Sequence, residues 1–211
     1  MSARPKAAPS SQHLLQAAIE CFATHGYQGT SIERIARAAG VTKGAIYYHY
    51  KDKEELLFET VRDRLLGFEA RVLAETSPDD DPVAVLGRVV DECFVTATES
   101  NHRRFIITLM VEALGTNPAL SEVFRAELRR MRGFLVDVVR RGQDGGVIRP
   151  ELSPDGVAAL VVSAIMGAEI QHYQDPERID LRALLDLHLD HLSQWLRPRA
   201  DVAVERGERP W

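Results

Sequence analysis

The sequence has few of the features that mark secreted, membrane-spanning or metal-stabilised proteins. Its only two cysteines, Cys21 and Cys93, lie inside apolar helical patterns and have no paired spacing, so neither a disulfide framework nor a zinc site is predicted. No run approaches the roughly 18 uninterrupted apolar residues of a membrane helix. Residues 1–10 are polar and contain proline, without the apolar core of a signal peptide. We therefore expect a globular, cytoplasmic protein.

Strand patterns and catalytic motifs are also missing. No segment alternates apolar and polar residues with a period of two, whereas apolar residues recur at helical spacing nearly everywhere, which predicts an all-α fold. The sequence contains no glycine-rich phosphate loop, no GxSxG and no HExxH, which argues against an enzyme. His102, His172 and His188 are isolated and lack metal-ligand spacing. We expect no metal and no other cofactor.

The net charge of −5 is unevenly distributed along the chain. Residues 1–53 hold seven Lys/Arg and three Asp/Glu, whereas residues 54–211 hold 19 and 28, so a basic segment precedes an acidic one. A local basic surface is what DNA phosphates attract. By itself the pattern is equally compatible with an ordinary solvated face.

Helix-breaking glycines and prolines, together with capping residues, divide the chain into nine predicted helices. The first runs from about Ser11 to His25 and stops at Gly26; the second begins at a capping box, Thr30-x-x-Glu33, and ends at Gly40. Further helices are predicted from the N-cap Thr42 to about Tyr50, from a second box at Asp52-x-x-Glu55 to the SPDDDP linker, and over about 82–100, 102–114, 118–142, 154–172 and 179–197. The predicted divisions are a flexible arm (1–10), a DNA-binding domain (11–53), a larger helical domain (54–197) and a disordered tail (198–211).

The second and third helices form a candidate helix-turn-helix. They are short and meet at Ala39-Gly40-Val41, where glycine permits a tight turn. In the third helix, Ile46 and Tyr50 share the inward face, which leaves Lys43 and Tyr47 facing elsewhere. Packing alone explains such a short helix poorly, and a surface that meets DNA explains it better.

Lys53 is a further clue, because a cation in the first turn of a helix opposes the helix dipole at a cost of about 0.3–1 kcal/mol. A DNA phosphate at the same helix start would compensate that cost. The alternative is an exposed lysine that tolerates it.

The run GYQGTSIERIARAAGVTKGAIYYHYKDKEELL, residues 26–57, resembles the DNA-binding region of the TetR/AcrR family of transcriptional regulators. The shared features include Gly-Tyr after the first helix, Ala-Gly-Val at the turn, Gly-x-x-Tyr-x-His-aromatic in the third helix and Lys-x-x-Leu opening the fourth. The resemblance implies a three-helix head, joined by the fourth helix to a larger helical domain that binds a ligand and dimerises. Past Val72 the agreement lies only in length and helical content.

The resemblance also implies roles for individual residues. Thr42, Lys43 and Gly44 would contact base edges. Contacts to the DNA backbone would come from both ends of the motif: Thr30, Ser31, Tyr47, Tyr48, His49 and Lys53. Arg4 and Lys6 could add a contact from the arm.

The family also implies a homodimer formed through the eighth and ninth helices. The ninth helix carries an apolar stripe that would suit such an interface: Leu181, Leu185, His188, Leu192 and Trp195. The same stripe could instead belong to the intramolecular core. A dimer is expected independently, because one two-turn recognition helix reads too few bases for operator specificity.

A ligand pocket would lie among the fourth to eighth helices. Its candidate lining residues are aromatic or flexible, and each is also a candidate for plain core: Phe68, Phe94, Phe105, Met110 and Phe124. Glu112 and Glu169 are carboxylates within apolar runs, and a buried carboxylate needs a partner, either in a ligand or in the protein.

The predicted function is therefore a repressor that a small-molecule inducer releases from a palindromic operator. An activator built on the same head remains open. A helical small-molecule-binding protein that does not bind DNA is the alternative of a different class, since it would need the body and not the head.

Overall fold

The computed structural model describes residues 11–77 and 79–198. The predicted arm, with Arg4 and Lys6, lies outside the described residues, as does the predicted tail apart from its first residue. Within the described part of the chain, no helix is both long and apolar enough to cross a membrane.

The described residues form nine α-helices and no strand, which confirms the all-α prediction. Their order and bounds are α1 Ser11–Gly29, α2 Ile32–Ala38, α3 Lys43–His49, α4 Lys53–Ala74, α5 Pro82–Glu99, α6 His102–Ala113, α7 Pro118–Asp144, α8 Pro154–Gln174 and α9 Leu181–Leu196. The five later helices start and end within two residues of the predicted positions.

Local capping explains where the helices of the head begin. The Thr42 hydroxyl accepts from the Ala45 N–H at 3.2 Å and caps α3, as predicted. The Asp52 carboxylate accepts from the Glu55 N–H at 2.9 Å and caps α4. The prediction for α2 was wrong by one residue, because its N-cap is Ser31 and not Thr30. Thr30 is drawn into the interior instead.

Gly26 and Gly40 supply the two left-handed backbone positions that separate the head helices. Gly26 has φ of 68°, which interrupts α1 where the sequence predicted its end, although the helix resumes to Gly29. Gly40 has φ of 64° and turns the chain between α2 and α3. A side chain at either position would strain the backbone.

The core divides into two clusters that meet along α4. The head core contains the inward faces of α1, α2 and α3 and the first half of α4, including Ile35, Ile46 and Val61. The body core begins on α4 at Phe68 and Val72 and continues through α5, α7, α8 and α9. Thus α4 contributes to both clusters, and its N-terminal half packs as part of the head.

Helix α6 is a second connection between head and body. Its residues Ile106 and Leu109 are buried in the head core, and Phe105 stacks on Phe22 of α1 with ring centroids 6.2 Å apart. On the opposite side, Arg103 of α6 binds Glu169 of α8. A displacement of α6 relative to α8 would therefore also move residues that pack in the head core.

Two glycines of α7 provide a matched test of this packing. We expect Gly142→Ala to lower the free energy of unfolding by about 1–3 kcal/mol, because the added Cβ would lie 2.5 Å from Cδ1 of buried Ile148. Gly133→Ala should raise it by about 0.5–1 kcal/mol, since Gly133 is exposed with no atom within 4 Å of the new Cβ. Urea denaturation at fixed protein concentration measures both. Equal stabilisation by the two substitutions would contradict the packing at Gly142.

Candidate DNA-binding site

Helix α3 presents the exposed face that the sequence predicted. Ile46 is completely buried and Tyr50 nearly so, with the Tyr50 hydroxyl 3.2 Å from Oγ of Ser11. Tyr47 and Tyr48 are 53% and 85% exposed. Two buried side chains thus hold the helix, and the tyrosines stand on the surface.

The remaining candidates on α3 are exposed as well. Thr42, Lys43 and Gly44 form its exposed N-terminal end, and His49 packs edge-on against Tyr48 with ring centroids 5.1 Å apart. The helix and its N-cap therefore expose six candidate contact residues.

Lys43 is held by an ion pair across the helix-turn-helix. Its ammonium group binds the carboxylate of Glu33, in the first turn of α2, and both side chains are about half exposed. The hydrogen bond from Lys43 lowers the pKa of Glu33 to about 2. The carboxylate is therefore charged at neutral pH. A DNA base that accepts a hydrogen bond from Lys43 would have to compete with this carboxylate.

The two candidates at the start of α2 differ in placement. Ser31 is exposed and its hydroxyl accepts from the Arg34 N–H at 3.2 Å. Thr30 is buried, and its hydroxyl bonds to the carbonyl oxygens of Cys21 at 3.0 Å and Gly26 at 2.8 Å. The Thr30 hydroxyl is thus used inside the head, where it cannot meet a phosphate.

Lys53 also has partners within the head. Its ammonium group donates to the carbonyl oxygens of Tyr27 at 2.9 Å and Thr30 at 3.0 Å, and lies 4.1 Å from the centroid of the Tyr27 ring. These acceptors compensate the unfavourable position at the start of α4 without any DNA. Sequence reasoning missed this role because the partners lie more than twenty residues away.

The ligand-pocket candidates separate into two groups. Phe68, Met110 and Phe124 line cavities between the body helices. Phe94 instead faces Arg182 of α9, with the guanidinium carbon 5.5 Å from its ring centroid, and Phe105 packs into the head. Helical spacing could not separate the two groups, because it does not show which neighbour covers each face.

The two carboxylate candidates have opposite environments. The expectation that Glu112 is buried was wrong, because its side chain is exposed on the outer side of α6. Glu169 is fully buried, and both of its oxygens accept from Arg103, from Nε at 2.8 Å and from Nη2 at 3.0 Å. Its partner is thus a protein arginine.

Two small cavities lie between the body helices, and Arg103 lines the inner one. The inner cavity, about 40 Å³, is lined by residues of α4 to α8: Leu65, Cys93, Arg103, Ile106, Ile107, Met110, Phe124, Glu127, Leu128, Met131, Val162, Ile165 and Met166. The outer cavity, also about 40 Å³, lies between α4 and α7 and shares Leu65, Glu127 and Met131 with it.

Helices α8 and α9 carry an uncovered apolar face. Leu160 and Leu187 are each about half exposed, and Trp195 is 42% exposed beside a groove of about 240 Å³. Leu181 and Leu185 of the predicted stripe are buried in the body core. The first residues of the stripe therefore pack in the core. Its later residues His188, Leu192 and Trp195 line the groove.

Comparison with known proteins matches both parts of the chain to regulator families. Residues 14–60 match the model of bacterial regulatory proteins of the tetR family, and residues 82–197 match the C-terminal domain of BetI-type transcriptional repressors. The chain is 35% identical to the HTH-type transcriptional repressor AcnR of Corynebacterium diphtheriae over 177 residues, 83% of this chain and 87% of that protein.

Solved structures share the whole architecture. SmeT, the repressor of the Stenotrophomonas maltophilia multidrug efflux pump SmeDEF, superposes with a TM-score of 0.76 at 26% identity, covering 96% of this chain and 98% of that one. FadR of Bacillus subtilis, in complex with stearoyl-CoA, gives a TM-score of 0.77 at 21% identity, covering 89% and 100%. At that identity the second likeness shows the fold alone.

The contacts of Lys53 lead to a prediction that separates positioning from phosphate binding. We expect Lys53→Met to destabilise the head by about 1–3 kcal/mol, because two charge-assisted hydrogen bonds are lost. DNA binding should weaken, but the slope of log affinity against log salt should stay unchanged. Loss of a phosphate contact would reduce that slope by about 0.9 per chain.

The matched control is Lys51→Met, which removes the same charge from an exposed position two residues earlier and leaves those hydrogen bonds intact. Anisotropy titrations in a salt series, together with thermal melts, provide both readouts. A reduced slope with unchanged stability for Lys53→Met would assign this lysine to a phosphate.

Proposed function

The chain belongs to the TetR family of bacterial regulatory proteins, and we propose that it acts as a homodimeric repressor that a small molecule releases from a palindromic operator. The observation that carries the proposal is the exposed side of α3, which presents Lys43 and two exposed tyrosines. The opposite side of the helix is anchored by Ile46 and Tyr50. Packing does not require those exposed side chains, whereas a DNA surface uses each of them.

We assign direct DNA contacts to the exposed members of the sequence-derived set. Thr42, Lys43 and Gly44 would meet base edges in the major groove, and Ser31, Tyr47, Tyr48 and His49 would bind sugar-phosphate groups. Thr30 and Lys53 hold the α1–α2 connection that orients these residues.

A homodimer would pair the uncovered α8–α9 faces of two chains. The face combines exposed leucines with the half-exposed indole of Trp195, and a surface of this kind suits burial against a second copy. A two-fold dimer would present two α3 helices to half-sites about one helical turn, roughly 34 Å, apart. A palindromic operator follows from that symmetry.

Release by a ligand requires the body to alter the geometry of the head. Helices α4 and α6 both enter the head core, and both line the body cavities. A ligand that moves either helix would change the separation of the two heads, provided that it binds one arrangement better. The solved neighbour that holds stearoyl-CoA supports small-molecule binding within this fold.

Three alternatives to a repressor are an activator, a binding protein without DNA contact and an enzyme. An activator would use the same head and body, and the effect of the ligand on operator affinity distinguishes it from a repressor. A helical binding protein without DNA contact would leave the α3 surface unused. The relatives that match are transcriptional regulators and not enzymes, which supports a regulator over an enzyme.

The proposal is tested by titrating the protein against its own upstream intergenic DNA over a salt series. We expect tight binding that weakens with salt. Lys43→Ala should reduce discrimination between operator and single-base variants about tenfold, since a good base contact is worth about 1–3 kcal/mol. Glu33→Gln should raise affinity, because it frees Lys43 and removes an anion from the DNA-facing surface.

Tyr47→Phe serves as the control for a backbone contact, because it should weaken all sequences alike. If wild-type protein binds neither the upstream DNA nor any sequence recovered in a genome-wide selection, the DNA-binding proposal fails.

The dimer face yields a separate prediction. Leu187→Asp should raise the dimer dissociation constant about thirtyfold or more, since it places a charge in a desolvated interface at a cost of about 2 kcal/mol or more. Leu114→Asp is the matched control, because Leu114 is 69% exposed between α6 and α7, away from this face. Sedimentation velocity measures both variants. A Leu187→Asp protein that stays as dimeric as the control would exclude this interface.

A further inference from the structure

We propose that the inner cavity binds an uncharged, mainly apolar ligand with one hydrogen-bond-accepting oxygen, such as a medium-chain ketone or ester. Arg103 would donate to that oxygen, and Glu169 would make the site reject carboxylates. The inference rests on the proposed function, because this ligand would be the inducer.

Two of the three guanidinium nitrogens of Arg103 donate hydrogen bonds to Glu169, and the third does not. Nε and Nη2 donate to the two oxygens of Glu169. Among the described residues, no acceptor binds Nη1, and Arg103 lines both the inner cavity and an open cleft of about 570 Å³ between α4, α5 and α6. The guanidinium carbon also lies 5.7 Å from the ring centroid of Phe68, at the edge of the outer cavity. The free nitrogen can therefore bind one further acceptor.

The charge balance within the inner cavity selects the type of acceptor. Arg103 and Glu169 neutralise each other, with side chains only 11% and 0% exposed. Glu127, the other charged residue lining the inner cavity, is paired with Arg130 at 2.9 Å. Burial raises the pKa of the Cys93 thiol to about 12, so this group is neutral as well. A ligand carboxylate would add an unpaired buried charge, whereas a carbonyl oxygen would not.

The inner cavity can enlarge because flexible methionine side chains line it. Its present volume of about 40 Å³ is far below the roughly 300–1,000 Å³ of ligand pockets. The chain has four methionines, and three of them line this cavity: Met110, Met131 and Met166. Methionine has flexible, adaptable side-chain packing and is frequent at surfaces that accept varied ligands. The cavity is therefore built from side chains that can yield to a ligand.

The shape of the enlarged site follows from the outer cavity. Leu65 and Met131 line both cavities, so their rearrangement would join the two into one slot. The slot would run from Arg103 to the gap between α4 and α7, where Arg130 binds Glu69 and Glu127. An apolar chain with its oxygen at one end fits this geometry.

The experiment compares three probes of equal chain length at pH 7.5, namely 2-decanone, decanoate and decylammonium, by isothermal titration calorimetry. For the wild-type protein we expect 2-decanone to bind at least tenfold more tightly than either ion. Glu169→Gln keeps the size and one acceptor for Arg103 but removes the neutralising charge, so decanoate should become the preferred ligand. Glu112→Gln, an exposed change on the helix that carries Arg103, should leave the order unchanged.

Tighter binding of decanoate or decylammonium to the wild-type protein would overturn the proposal, as would the absence of binding by all three probes. If Glu169→Gln does not fold, the double variant Arg103→Leu/Glu169→Leu replaces the pair with apolar groups and tests the contribution of Arg103 to ketone binding. It should bind 2-decanone at least fivefold more weakly, and unchanged affinity would contradict the role of Arg103.

Operator titrations of the same preparations separate this inference from the proposed function. A protein that binds its operator but shows no preference for the ketone refutes only the ligand class. Selective binding of 2-decanone without any operator binding refutes the regulator and leaves the site intact.

Discussion

The buried ion pair between Arg103 and Glu169 is the polar constraint that joins α6 to α8 inside the body. Glu169 is the one carboxylate that the described residues bury completely, and a lone charge there would be strongly destabilising. The pair joins α6, whose neighbouring residues enter the head core, to α8, which carries part of the uncovered apolar face. This bidentate contact thus adds to α4 in connecting the head to the helix that would meet a second chain.

The head itself depends on anchors outside its shortest helices. A seven-residue helix such as α3 is far below the length at which isolated helices are stable. Burial of Ile46 and Tyr50 and the Thr42 cap hold it in place, and Lys53 holds the preceding connection through backbone carbonyl groups. Because these anchors hold the helix, the exposed side of α3 can carry residues that packing does not determine.

Sequence reasoning succeeded where the determinants are local and failed where distant segments decide. The caps at Thr42 and Asp52 and the inward face of α3 follow from a few adjacent residues, and the structure confirms them. The burial of Thr30, the two carbonyl acceptors of Lys53 and the exposure of Glu112 depend on which helix lies opposite, which helical spacing does not encode. The methionine signal at the inner cavity was present in the composition, but only the fold shows that three of the four converge.

The energy required for signalling is compatible with a single polar contact in this cavity. Allosteric coupling between ligand and DNA is typically about 1–3 kcal/mol. A hydrogen bond to a charged donor contributes about 1.5–3 kcal/mol, so one made in only one arrangement of α6 would supply that difference. The apolar slot would then provide affinity in both arrangements, and only the contact at Arg103 would need to discriminate between them. Since α6 also carries Phe105 into the head core, a shift of Arg103 toward a ligand would be transmitted directly to the helices that hold α3.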